Sequence, residues 1–264
     1  MDLPALVAAT AGVTAVAMLA LWVVSLVLRD ASIVDVWWGP GFVLIAATAF
    51  IVGEGGDPGR RVLVLALTAA WGLRLGGYLL WRNWGTGEDP RYQAMRRHFG
   101  KRFPLVSLAT VFALQGVLMW FVSLPVQVAQ ASGGPLGALD AAGALVFAVG
   151  LAFESVGDLQ LARFKADPAN AGRVMDRGLW RYTRHPNYFG DCLAWWGLFT
   201  IALATPAGIY TVLSPVAMTF LLLRVSGVAL LERSIGKRRP EYAAYQARTS
   251  AFLPRPPRRR VSGR

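Results

Sequence analysis

Polar side chains crowd one short stretch of an otherwise apolar chain. In GLWRYTRHPNYFGD, residues 178–191, Arg181, Tyr182, Arg184, His185, Asn187, Tyr188 and Asp191 supply donors, acceptors and charge of both signs. Pro186 fixes a corner, so His185 and Asn187 project from a defined bend. Asn187 and Asp191 are four apart and share one face of the helix that follows. Upstream, Glu154 and Asp158 repeat that spacing inside an apolar run, with Lys165 further along. Downstream, Arg224, Glu232 and Arg233 end another apolar run, and RRPEYAAYQARTSAFLP then brings Arg239, Tyr242 and Tyr245. An ionisable group at mid-membrane costs about 2.5–3.5 kcal/mol on insertion scales, so such groups face a partner or a wet cavity. Two readings follow. The groups either pair between helices and anchor helix ends among headgroups, or they converge on one mouth. A converging set would suit a large, charged, hydrogen-bonding ligand whose reactive end enters the apolar interior. Arg173, Arg177, Arg181 and Arg184 are of the type that grips phosphate by guanidinium forks.

The elements that must position these groups are membrane helices. Of the 264 residues, 55% are hydrophobic and only 16% charged, where a soluble domain carries about 25% charged residues. Ten Trp and 28 Gly agree, because Trp gathers at membrane interfaces and Gly lets transmembrane helices approach closely. The single cysteine, Cys192, excludes an internal disulfide and a cysteine zinc site, and no metal site is expected. The net charge of +12 comes from basic residues lying between apolar runs, with no nucleic-acid-binding motif among them. Anionic lipid headgroups or a phosphate-bearing ligand are the expected partners.

A bilayer core takes about 20 apolar residues as a helix. Seven runs qualify or come close: Leu3–Leu28, Val36–Val52, Val62–Leu80, Pro104–Val128, Leu139–Leu161, the shorter Phe189–Ala204, and Tyr210–Leu231. No basic n-region precedes the first run, which argues against a cleaved signal peptide. The expected fold is therefore all-α, a polytopic membrane protein of about seven helices in a single domain, 1–264. The segments 82–102 and 163–184 and the tail after Leu231 are basic, whereas 127–138 and 205–208 carry no Lys or Arg. The positive-inside rule puts the basic segments in the cytoplasm and the N-terminus outside, with Arg60 and Arg61 as exceptions.

RYTRHPNYFGD followed by ERSIGKRRPEYAAYQARTSAFLP resembles the C-terminal half of the steroid 5α-reductase family. DVWWGPGF and WGLRLGGYLLWRNWGTGEDPRY are similar to its bacterial branch. The likeness spans 31–254 and leaves 255–264 as a basic tail. It implies an inner-membrane enzyme that takes NADPH from the cytoplasm and reduces a carbon–carbon double bond conjugated to a carbonyl in a steroid-like, isoprenoid or acyl-lipid substrate. By the same resemblance, Glu154, Asp158 and Lys165 contact the cofactor from the fifth helix. Asn187 and Asp191 hold its nicotinamide–ribose end, and Arg173, Arg177 and Tyr182 cover the phosphates. Arg184, His185, Tyr188, Glu232, Arg239, Tyr242 and Tyr245 complete the mouth. The carbonyl-polarising pair falls nearest to Asp35 and Tyr78, beside Arg82. RHPNY alone is shared with isoprenylcysteine carboxyl methyltransferases and sterol C14 reductases. A methyltransferase using S-adenosylmethionine and a non-catalytic lipid-binding protein therefore stand as alternatives. Substrate identity and oligomeric state are open.

Overall fold

The computed structural model describes residues 1–131, 133–225, 232 and 241–258. Among them every regular element is helical, and the single strand-like contact is an isolated bridge between Thr183 and Ser250. The long helices are α1 (Leu3–Leu28), α2 (Ile33–Val52) and α3 (Pro58–Asn83). A helical path, Pro90–Val122, follows. It is built from α4 (Pro90–Phe99), α5 (Phe103–Ser107), a π-helical stretch Leu108–Ala113 and α6 (Leu114–Val122). Then come α7 (Leu124–Ala131), α8 (Ala138–Ala166), α9 (Pro186–Ala202), α10 (Leu213–Phe220) and α11 (Tyr242–Arg248). Among the described residues six helical stretches are long and apolar enough to cross a membrane, and the sixth runs Gly208–Val225. α9, with 17 residues, is the shorter run seen in the sequence.

Sequence sets most of these boundaries locally. Asp2, Asp57 and Asp89 each accept a hydrogen bond from a backbone amide of the first turn, and proline follows at the first or second position of those helices. The fourth apolar run differs from the expectation in both directions. Helix begins at Pro90 rather than Pro104, because Asp89 caps it, and the run breaks at Ser123 before α7 instead of continuing to Val128.

The chain folds as two compact units, 1–141 with 199–214 and 142–198 with 215–264. In the first unit, α2 and α3 make the most extensive helix pair. Gly39 and Gly72 stand at their closest approach, where a Cβ on either would run into the other's carbonyl, and Gly76 lies against Pro40. Gly72 and Gly76 form the small-xxx-small spacing that lets membrane helices touch backbone to backbone. Arg60 is 1% exposed, and its guanidinium binds both carboxylate oxygens of Asp140 at 2.7 and 2.8 Å. Arg61 donates to the Phe50 carbonyl and lies over the Phe50 ring. The two exceptions to the charge rule thus make their contacts inside the first unit.

The second unit rests on α8 and α9. Gly150 packs on Gly190, and Gly157 on Pro186 and the Asn187 backbone; Gly197 meets the backbone of Gly143 and Phe147. Gly143, Gly150 and Gly157 recur every seven residues, as do Gly190 and Gly197. That period keeps one seam turned toward the partner helix along its whole length. Apolar side chains such as Val16, Leu19, Val23 and Val27 of α1 remain exposed, as contact with membrane lipid requires.

Candidate functional site

Polar clusters interrupt the apolar packing in each unit. In the first unit, the turn before α2 and the loop before α4 are tied together. Glu88 accepts from the Ala31 amide at 2.9 Å and from Arg96 at 2.7 and 3.1 Å. The Asp89 amide donates to the Ser32 hydroxyl at 3.3 Å. Burial alone would raise the Glu88 carboxyl, but the Arg96 and Ala31 hydrogen bonds outweigh it and hold the group below its ordinary value. This anchoring brings the first turn of α4 over the first turn of α2. There the Tyr92 hydroxyl donates to Asp35 Oδ1 at 2.9 Å and Arg91 donates to Asp35 Oδ2 at 2.7 Å. Tyr92 is 6% exposed. Arg91 also holds Asp89, the cap of its own helix, at 2.9 Å.

Sequence alone names Asp35 but not its two partners. Tyr78, named instead, has its ring 6.0 Å from that of Trp81 and 5.7 Å from the Arg82 guanidinium, and Arg82 itself is exposed and donates to the Asn83 side chain at 3.1 Å. A signal for Tyr92 is present in the sequence. Asp89-Pro90 is a helix start, which puts Arg91 and Tyr92 in a first turn beside the only acidic residue of α2.

In the second unit, Glu154, Asp158 and Asp191 are all buried among the α8 and α9 helices. The Gly157–Pro186 approach brings the start of α9 against α8, and Asn187 Nδ2 donates to Asp158 Oδ1 at 3.1 Å. The other end of that carboxamide, Oδ1, is closed to solvent and has no hydrogen-bond partner among the described residues. His185 stacks on Tyr188 with centroids 5.5 Å apart. Lys165, Arg173, Arg177 and Tyr182 are exposed. Arg239 lies outside the described residues.

Glu232 is the hub of the remaining named groups. It accepts from Arg184 at 2.7 Å, from Gln246 at 3.1 Å and from Tyr242 at 3.5 Å, and lies 3.2 Å from His185 Nε2. Arg184 donates further to the carbonyls of Gln246 and Thr249, and Tyr245 donates to the Trp180 carbonyl. Arg184, Tyr242 and Tyr245 therefore lock the 180–185 corner to the 242–250 segment. Burial pushes the Tyr242 hydroxyl up to about 12, with the Glu232 charge adding to it, so it stays a donor. Burial would also raise Glu232, but His185 and Arg184 bind its charged form and bring it down to about 2.

A carboxyl lowered from 4.5 to about 2 by folding contributes stability that is complete above the higher value and disappears as pH falls through the lower one. Thermal unfolding of the purified protein should show this loss on the acid side, and Glu232→Gln should lower the midpoint near neutrality while flattening the acid limb. Parallel wild-type and variant curves across that range would assign the acid sensitivity to other carboxylates.

Six apolar helical stretches with buried polar clusters define an integral membrane protein of helical type. Residues 21–249 match a family model described as a protein of unknown function, DUF1295, and the chain belongs to that family. An uncharacterized protein of Schizosaccharomyces pombe is 26% identical over 268 residues, covering 89% of this chain and 76% of its own. No solved structure matches the chain significantly.

Proposed function

We propose that the protein is a membrane-embedded reductase that uses NADPH to reduce a carbon–carbon double bond conjugated to a carbonyl in a lipophilic substrate. The observation that carries this reading is the half-buried Asn187 carboxamide, whose nitrogen is held by Asp158 while its buried oxygen has no donor among the described residues. Leaving a buried acceptor unmade costs about 1–3 kcal/mol. A ligand bearing amide or hydroxyl donors, as the nicotinamide carboxamide and its ribose do, meets that need. The residues fit the cofactor in this respect, and the steroid 5α-reductase resemblance of RYTRHPNYFGD supports the same assignment.

NADPH, when bound, supplies hydride. For orientation the chain's own groups are Asp158, Asn187 and Asp191 of the second unit; in the first unit Asp35, which the resemblance puts at the carbonyl, is held by Arg91 and Tyr92. Reduction at the β-carbon builds enolate charge on the carbonyl oxygen, and a donor held in a dry site stabilises that charge best. The Tyr92 hydroxyl is buried and carries a proton, and rotation about its C–O bond re-aims that proton from Asp35 to another acceptor. Asp35 and Arg91 fix the ring's position through the contact they share.

Isothermal titration of the detergent-purified protein tests the cofactor assignment. NADPH should bind wild type, and Asn187→Ala should weaken it by on the order of tenfold, the equivalent of one buried hydrogen bond. Binding of S-adenosylmethionine instead, or of neither molecule, would overturn the reading.

For topology we propose seven crossings, counting α9, in a bacterial inner membrane, with the basic segments cytoplasmic and the N-terminus outside. Single cysteines placed at Arg96 or Arg177 should resist an impermeant thiol reagent in intact cells. Labelling of either from outside would reverse the orientation.

A further inference from the structure

The Tyr92 hydroxyl meets a second group besides Asp35. Gln115 of α6 donates to it from Nε2 at 3.4 Å. The two residues are 23 apart in sequence, and one continuous helix would hold them about 35 Å from each other. The path Pro90–Val122 therefore doubles back. Gly100 ends α4 at φ +51°, a conformation that suits glycine, and across that bend the Arg96 guanidinium lies 4.3 Å from the centre of the Phe103 ring. Past the bend, the wider turn of the π-helical stretch Leu108–Ala113 re-aims the residues of α6. Leu114 and Val117 are exposed, Gly116 and Met119 are buried, and Gln115 is half-buried. Met119, four residues on and on the same face as Gln115, occupies the place where a Cβ on Gly41 would stand, with the Trp37 indole beside it. This face of α6 is thus turned onto α2, the helix that carries Asp35.

Unused hydrogen-bonding capacity is the feature that points to a ligand. The single Tyr92 hydroxyl proton goes to Asp35 Oδ1 at 2.9 Å, so the phenol oxygen accepts from Gln115. That long contact is the one hydrogen bond the Gln115 side chain makes among the described residues. A carboxamide offers two N–H groups and an oxygen with two lone pairs, and polar groups left unmade in apolar surroundings are costly. Two donor atoms 3.4 Å apart are close enough to converge on one oxygen. We infer that Gln115 is the second donor to the ligand oxygen that the Tyr92 hydroxyl meets, and that this phenol and amide together select a ligand bearing a carbonyl. A carbonyl oxygen has a lone pair for each donor, whereas a ligand of the same shape without oxygen leaves both donors facing hydrocarbon, which is how a polar site rejects it. The inference rests on the reductase reading for what is done to that oxygen; the selection of the oxygen is a property of the first unit alone.

The test titrates the full chain in detergent, with and without NADPH, against a decyl-substituted cyclohexenone and against decylcyclohexane, which matches it in size but has no oxygen. Wild type should bind the cyclohexenone more tightly by on the order of tenfold. Gln115→Met keeps the length of the side chain and removes the amide. It should weaken cyclohexenone binding about tenfold and change decylcyclohexane binding by less than about twofold. Gln115→Glu keeps the shape but puts an acceptor where the donor stood, and should bind the cyclohexenone no better than Gln115→Met. Neither of these results is expected of an amide that only packs. In that case Gln115→Met would lower the thermal midpoint and weaken both probes alike, and the inference would fail. It fails equally if wild type does not bind the cyclohexenone or does not prefer it. Should NADPH not bind while the preference depends on Gln115, the reductase reading falls and this inference stands. Should NADPH bind in an Asn187-dependent way while Gln115→Met leaves the preference intact, this inference falls and the cofactor reading stands.

Discussion

Asp35→Asn is expected to lower turnover by on the order of 10²-fold or more while leaving NADPH affinity close to wild type. Asparagine keeps the size of the side chain but removes the charge that holds Arg91 at 2.7 Å and weakens the acceptor that Tyr92 meets at 2.9 Å. Tyr92→Phe should lose a similar factor, because it deletes the hydroxyl and leaves the ring. Both effects belong to kcat, since the groups named for the cofactor are on α8 and α9 and are unchanged. NADPH oxidation measured against a lipophilic enone, with affinities determined separately by titration, gives the split. Tyr78→Phe serves as the comparison. If it abolishes turnover while Tyr92→Phe does not, the phenol that acts comes from α3, and the α4 assignment is wrong. If Asp35→Asn instead destroys NADPH affinity but turns over normally at saturation, the substrate and cofactor roles are exchanged.

The largest effect on stability should come from Asp140→Ala. Arg60 is 1% exposed and its guanidinium makes two hydrogen bonds to Asp140, with others to the carbonyls of Gly134 and Pro135. Removing the carboxylate leaves a buried cation without its counter-charge, which typically costs about 3–5 kcal/mol. Arg60→Met combined with Asp140→Leu takes away both charges, and the double variant should recover part of the loss despite the two carbonyls it leaves bare. Denaturant unfolding in a mild detergent measures each. An unchanged midpoint for Asp140→Ala would mean that water or a neighbouring group solvates Arg60, and that the pair does not hold the first unit together.

Much of the fold is readable along the chain because its rules are local. Apolar runs of membrane length, Asp–Pro helix starts and glycine turns are properties of a few consecutive residues, and α1, α3 and α8 contain the runs read at Leu3–Leu28, Val62–Leu80 and Leu139–Leu161. The helical period also puts Glu154 with Asp158 and Asn187 with Asp191 on shared faces, and those carboxylates are buried in the structure. Which face meets which is another matter. Tyr92 reaches Asp35 across 57 residues of sequence, and Asp140 reaches Arg60 across 80. Neither pairing follows from spacing, because a helix fixes only the direction in which a side chain leaves it. The partner is set by how closely two helices approach and at what height. In this chain those distances are set by Gly39 against Gly72 and by Gly157 against Pro186. The charge rule likewise counts Arg60 and Arg61 as exposed cations, whereas tertiary contacts bury one against a carboxylate and turn the other onto a backbone carbonyl and an aromatic ring. Helices, and the faces of them that carry polar groups, follow from consecutive residues. The pairs do not, because a charge or hydroxyl acquires its partner only when a second helix, close enough only where glycine allows it, brings one within hydrogen-bonding reach.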